Sequence, residues 1–60
     1  MTYTAQVEFS TGYPETSEFD TFTKADRFVR VRMTRREAIK GTIVTLNRDG
    51  SIKCTESWSK

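Results

Sequence analysis

The chain has 60 residues, 35% of them hydrophobic, and a net charge of +2, so it can form one small domain with a limited core. It has one cysteine, Cys54, and no histidine, which excludes an internal disulfide and a tetrahedral zinc site of Cys and His ligands. Small chains that lack both supports depend on good local structure or on self-association, so a homodimer is one expected alternative. We expect residues 1–60 to form a single compact domain with no linker.

We expect no signal peptide at the beginning of the chain. The segment MTYTAQVEFS has neither the basic region nor the apolar region of a signal peptide. No apolar run approaches the ~18 residues that a membrane-spanning helix needs. A lone cysteine also fits a reducing compartment. We therefore expect a cytoplasmic protein with no membrane partner.

The first 22 residues predict two strands. In YTAQVEF, apolar residues alternate with polar ones, which is the period of a half-buried strand; these apolar residues are Tyr3, Ala5, Val7 and Phe9. Gly12 and Pro14 then indicate a turn. The segment ETSEFDTF predicts a weaker second strand, whose acidic side chains would discourage pairing with another chain.

The middle of the chain is compatible with a helix or with a strand. A helix is favoured by Thr23 as N-cap and by the 3–4 spacing of its apolar residues, which are Phe22, Ala25, Val29 and Met33. A strand is favoured by the alternation in VRVRMT, with TRRE at 34–37 as a capping box that could start a separate short helix. We favour one helix from about 24 to 40, ending before Gly41 and buried in its first half.

The last third of the chain predicts a hairpin, TIVTL-NRDG-SIKCT. Gly50 suits the left-handed position of a three-residue loop. We expect Leu46 to pair with Ile52 and Val44 with Cys54, so that these four residues face the core and Cys54 is a packed thiol. The predicted fold is α+β, in β-β-α-β-β order, with an antiparallel sheet covered by one helix.

The residues offer little catalytic chemistry. Cys54 has no histidine to form a thiolate pair, and the three glycines are too far apart to make a phosphate-binding loop. Glu18 and Asp20 would share one face of a strand, but this spacing is common on any solvated strand. We expect a protein that is not an enzyme and that needs no cofactor or metal.

The charges are distributed unevenly along the chain. Residues 1–23 contain four acidic and no basic residues, whereas residues 24–60 contain all ten basic residues and four acidic ones. Such asymmetry is compatible with a nucleic-acid partner or with a host protein that has an acidic surface. Arginine and tryptophan are also frequent anchors of interfaces. The residues that we expect to bind the partner are Arg32, Arg35, Arg36, Lys40 and Trp58.

The layout VEFS…SEF…TKADRF, two strands followed by a helix that opens near an alanine, resembles the small inhibitors of host enzymes that phages encode. The resemblance implies a compact effector of phage or mobile-element type and assigns no role to any residue. We therefore expect a small binding protein that modulates or inhibits a host macromolecule by occupying its surface. The alternative is a nucleic-acid-binding protein that contacts phosphates through the arginine-rich helix.

Overall fold

The computed structural model describes all 60 residues and contains one helix and four strands. They are β1 (Thr2–Phe9), β2 (Glu15–Phe19), α1 (Phe22–Met33), β3 (Ala38–Leu46) and β4 (Ile52–Ser59). The strands form one antiparallel sheet in the order β2-β1-β3-β4, and α1 packs across one face. The predicted α+β fold and its β-β-α-β-β order are confirmed.

Strand β1 is central because it pairs with both β2 and β3. Its alternation behaves as predicted: Ala5 and Val7 are completely buried under α1, while Glu8 is exposed. The larger side chains of the same face, Tyr3 and Phe9, pack around this centre. The core is therefore a thin layer between α1 and the two middle strands.

Helix α1 begins two residues earlier than Thr23 suggests and ends well before Lys40. Its N-cap is Thr21, whose Oγ1 accepts a hydrogen bond from the backbone N–H of Lys24 at 3.3 Å. Ala25 and Val29 are buried, as expected for the first half of the helix. After Met33 the next positions on the buried stripe would be residues 36 and 37, which are arginine and glutamate. A longer helix would therefore have no apolar face to bury.

The TRRE segment forms a turn and starts no second helix. The N–H of Arg35 donates to the carbonyl of Arg32, and the N–H of Ala38 donates to the carbonyl of Arg35. This tight turn brings Ala38 into register with Phe9 at the start of β3. The predicted helix over 24–40 is thus divided between α1, this turn and the first residues of β3.

Gly41 allows the helix to approach the sheet closely. A Cβ atom at this position would lie 2.5 Å from Cγ1 of Val29 and 3.4 Å from Cγ of Met33. The first distance is far below van der Waals contact, so a side chain here would push the C-terminal half of α1 away from β3. Gly41 therefore ends no helix, and its role is in the packing of α1.

The predicted register of the second hairpin is wrong by one residue over most of its length. Leu46 does pair with Ile52, but Cys54 then pairs with Thr45 and Glu56 with Ile43, because a bulge makes Lys53 an extra residue. A one-residue slip exchanges the faces of a strand. In β3, Ile43 and Thr45 are buried in place of Val44. Cys54 lies opposite Thr45, on the face of the sheet that carries α1, and it is exposed because α1 does not extend over β4.

The two faces of the sheet differ in composition. The face away from α1 is open and mostly polar, with no aromatic side chain; its polar residues include Thr2, Thr4, Gln6, Thr16, Thr42 and Thr55. Helix α1 contacts the first three strands but not β4, all eight residues of which are exposed. The one helix is too short and too polar to cross a membrane.

Candidate interaction surface

One end of the molecule collects basic side chains from three elements. It lies where α1 ends, where β3 begins and where β4 ends. Lys40 pairs in register with Ser59, and the backbone N–H of Lys60 donates to the carbonyl of Ile39. The Lys60 ammonium also donates to the carbonyl of Arg35. We call this region the basic end and define it by five cations: Arg32, Arg35, Arg36, Lys40 and Lys60.

Two of these cations share a carboxylate. Arg32 Nε lies 2.9 Å from Oε1 of Glu15, and an Arg35 terminal nitrogen lies 3.0 Å from Oε2 of the same residue. The Arg32 guanidinium also stacks 3.7 Å above the ring of Phe28, which fixes its plane. The hydrogen bond from Arg32, followed by the charge of Arg35, lowers the pKa of Glu15 below its ordinary value of 4.5. Glu15 thus links β2 to the end of α1.

The other basic side chains have no such carboxylate partner. Arg36 lies in the turn after α1, and Lys40 lies on the open face of the sheet; both are exposed and neither forms a salt bridge. Lys40 stands opposite Glu8 in the register, but their side chains make no salt bridge within 4.0 Å. The basic end therefore extends around the end of the sheet and presents charge on both faces.

The net charge of the protein is located at the basic end. This region contains five cations and three carboxylates, those of Glu8, Glu15 and Glu37. The other five basic residues are matched by the other five acidic residues. The region thus carries +2 of the total of +2, and the rest of the molecule is neutral. An anionic partner is consequently attracted to this end.

Trp58 belongs to a groove on the other side of α1. The groove has a volume of about 370 Å³ and lies between the helix and the uncovered strand β4. Its apolar part consists of Val29, Met33 and Trp58, and the ion pair of Arg30 with Asp26 lies at its rim. Trp58 is 36% exposed, which is less than expected for a residue of the uncovered strand β4 and more than expected for a tryptophan in a hydrophobic core.

The predicted binding residues are therefore at one end of the molecule but not in one site. Glu15 and Trp58 occupy the same row across the sheet, at its two edges. Three strand spacings separate them, about 14 Å. Glu15 holds Arg32 and Arg35 at the β2 edge, whereas Trp58 lies at the β4 edge. Arg36, in the turn after α1, and Lys40, on the open face of the sheet, form no salt bridge.

Sequence reasoning missed Glu15, Lys60 and the groove. Glu15 is 17 residues from Arg32 along the chain and lies in the acidic half, so only the pairing of β1 with β2 brings it to the arginines. Lys60 could have been included through its closeness to Trp58. The groove depends on where α1 lies on the sheet, for which no local pattern exists.

No group of three or more His, Cys, Asp or Glu side chains is arranged to hold a metal ion. Comparisons with models of protein families, with curated proteins and with solved structures found no match to this chain. The geometry and charge of the basic end and of the groove are therefore the basis for a functional proposal.

Proposed function

We propose that this chain is a non-enzymatic binding protein that docks its basic end on an acidic surface of a host protein. The observation that supports this proposal is the concentration of the whole net charge at one end, with Arg36 and Lys40 exposed and without ion pairs. Unpaired cations retain their full attraction for an anionic partner, whereas paired ones have already lost part of it. By covering a surface that its partner needs, the protein would modulate or inhibit that partner, as a phage-type effector does.

The ion pairs made by the arginines of α1 favour a protein partner over a nucleic acid. Of the three arginines of α1, Arg30 is bound to Asp26 and Arg32 to Glu15, so only Arg27 is free to contact a phosphate. The open face of the sheet has no aromatic side chain on which bases could stack. A surplus of two positive charges is also small for a protein that holds several phosphates.

The proposal is tested by charge reversal with a matched control. In the double variant Arg36→Glu/Lys40→Glu, the basic end becomes acidic, while Glu15 keeps both of its partners. The control Arg27→Glu/Arg48→Glu makes the same change of net charge at exposed positions elsewhere. The probes are a poly-glutamate peptide, a single-stranded DNA of similar length, and the proteins captured from a host lysate treated with nuclease.

We expect the wild type and the control to bind poly-glutamate and to capture the same stoichiometric partner. The basic-end variant should lose at least about tenfold in affinity, because each reversed cation now repels the partner. Binding of the DNA with a steep loss between low and high salt, and no capture from the nuclease-treated lysate, would support the nucleic-acid alternative instead. Equal effects of both double variants would contradict a role for the basic end.

A further inference from the structure

Strand β4 forms an open edge of the sheet. It pairs with β3 on one side and with nothing on the other, and no part of α1 covers it. It is eight residues long, has no proline, and carries only Lys53 and Glu56 as charged residues. Exposed edges of this length are normally protected, because their free N–H and C=O groups pair readily with another strand.

The hydrogen bonds to β3 show which backbone groups are free. Lys40 pairs with Ser59 in register, and the N–H of Lys60 donates to the carbonyl of Ile39. In an antiparallel ladder this bond identifies the Lys40 and Ser59 pair as one that is not hydrogen-bonded directly. Going along β4 from there, alternate residues direct their backbone groups outward. The residues with outward groups are Thr55, Ser57 and Ser59.

The opposite edge of the sheet is better protected. Strand β2 has five residues, includes Glu15 and Glu18, and lies between Pro14 and Asp20. Helix α1 also contacts β2, and Arg32 binds it through Glu15. Acidic residues and a neighbouring proline are common means of preventing edge pairing. The two edges of this sheet therefore differ, and only β4 is free to accept a strand.

We propose that β4 pairs antiparallel with β4 of a second copy, with Ser57 opposite Ser57 across a two-fold axis. The two sheets then form one eight-stranded sheet with both helices on the same face. In this register Thr55 pairs with Ser59 of the second copy, so every outward-directed group of Thr55, Ser57 and Ser59 finds a partner. The ladder also ends before the bulge at Lys53, where the regular backbone pattern is lost.

Backbone pairing and side chains together select this register over its neighbours. A shift centred on Trp58 would leave the outward-directed groups of Thr55 without a partner, because Thr55 would then lie beyond Lys60 of the second copy. A shift that places Thr55 opposite Ser57 would put Glu56 directly against Glu56 of the second copy, and like charges in that position are destabilising. A shift centred on Thr55 would require the bulged Lys53 to join the ladder. In the register centred on Ser57, Glu56 lies opposite Trp58 of the second copy, and its diagonal neighbours there are Lys60 and Glu56. The attractive diagonal offsets the repulsive one, and no like charges lie directly opposite each other.

We expect Trp58 to bury more additional surface than any other residue when the dimer forms. The two Trp58 side chains are diagonal neighbours across the axis, about 7–8 Å apart at their backbones, which aromatic side chains can span. Each tryptophan is still 36% exposed in the single chain. A ladder of five residues with two tryptophans buries less than the roughly 1,200 Å² of a standard interface, so we expect a dimer that dissociates at micromolar concentrations.

The self-association is tested with two substitutions at one position. Ser57→Pro removes an outward N–H that makes no bond to β3, and edge strands tolerate proline at such a position. Ser57→Ala keeps that N–H and removes only the hydroxyl. Sedimentation from about 1 µM to 1 mM should show a monomer–dimer equilibrium for the wild type and for Ser57→Ala, and a loss of at least about tenfold in association for Ser57→Pro. A wild-type monomer at every concentration, or an unaffected Ser57→Pro dimer, would overturn the proposal.

Disulfide crosslinking identifies the register without a variant that could unfold. In a Cys54→Ser background, Ser57→Cys places two thiols on residues about 5.5 Å apart, within the range that a disulfide accepts. Thr55→Cys places them four residues apart along the strand, about 13 Å. We expect Ser57→Cys to form a covalent dimer much faster than Thr55→Cys. Equal or reversed rates would contradict the register. None of these variants changes Arg36 or Lys40, so their outcome is independent of the charge-reversal test.

Discussion

At the scale of single residues, Glu15 is the side chain that orders the basic end. It binds Arg32 and Arg35 at once, and its side chain is 40% exposed, so both ion pairs remain accessible to water and salt. By fixing two arginines at the β2 edge, Glu15 leaves Arg36 as the free cation of the turn. A carboxylate in the acidic half of the sequence thus determines which basic residues are available to a partner.

The lowered pKa of Glu15 predicts a pH-dependent contribution to stability. A carboxyl group whose pKa is lower in the folded state stabilises the fold above its ordinary value, here 4.5, and loses that contribution as the pH falls through the lowered value. Glu15→Gln should therefore be less stable than the wild type at pH 7, and the difference should disappear at acidic pH. Urea unfolding at pH 7 and at steps below 4.5 measures this. Glu18→Gln, at a carboxylate without an ion pair, is the control; a difference for Glu15→Gln that does not change with pH would refute the prediction.

At the scale of secondary-structure elements, the order could be predicted from the sequence, but one boundary and one register could not. Each strand and the helix has a local periodic pattern, and Ala25 and Val29 were identified as core from spacing alone. The end of α1 depends on whether the next stripe positions can be buried, which requires the sheet to be known. The β3–β4 register depends on the bulge at Lys53, and a bulge changes no local pattern of residue types.

The N-cap of α1 provides a test of its boundary. Thr21 accepts a hydrogen bond from the Lys24 N–H, whereas Thr23 lies inside the first turn. Thr21→Ala should lower the free energy of unfolding by about 1 kcal/mol, because an N–H at the helix start loses its acceptor. Thr23→Ala should change it by less than about 0.5 kcal/mol, since alanine is the better helix former. Chemical denaturation of both variants decides between the two caps, and a larger loss for Thr23→Ala would restore the boundary that the sequence suggests.

At the scale of the whole molecule, the core is small and was predicted only in part. Eight residues are buried, and Ile43 and Val7 are the largest side chains that are fully enclosed. Chains of this size rarely have more than about 3–5 kcal/mol of stability from such a core. The predicted binding residues were near one another because the three elements that carry them meet at one end, but α1 separates Trp58 from Arg32, and this separation has no sequence signal.

Substitutions on the two faces of β3 test the corrected register against total stability. Ile43 is 1% exposed, so Ile43→Ala should cost about 2–4 kcal/mol, a large fraction of the whole. Val44 points to the open face and is only half-buried, so Val44→Ala should cost about 1 kcal/mol or less. The urea midpoints of the two variants provide the comparison. If Ile43→Ala leaves the chain unfolded, the milder Ile43→Val should still cost more than Val44→Ala; the opposite order would contradict the register.

The close approach at Gly41 implies a constraint between two positions in any sequence that descends from the same ancestor. Where residue 41 acquires a side chain, the Cβ would occupy the space that Cγ1 of Val29 now fills, at a separation of 2.5 Å. A homologue with alanine at position 41 should therefore carry a smaller residue at position 29, and one with a larger residue at 29 should keep the glycine. Correlated exchange of volume between these two positions would identify distant relatives of this fold even where no other residue is shared.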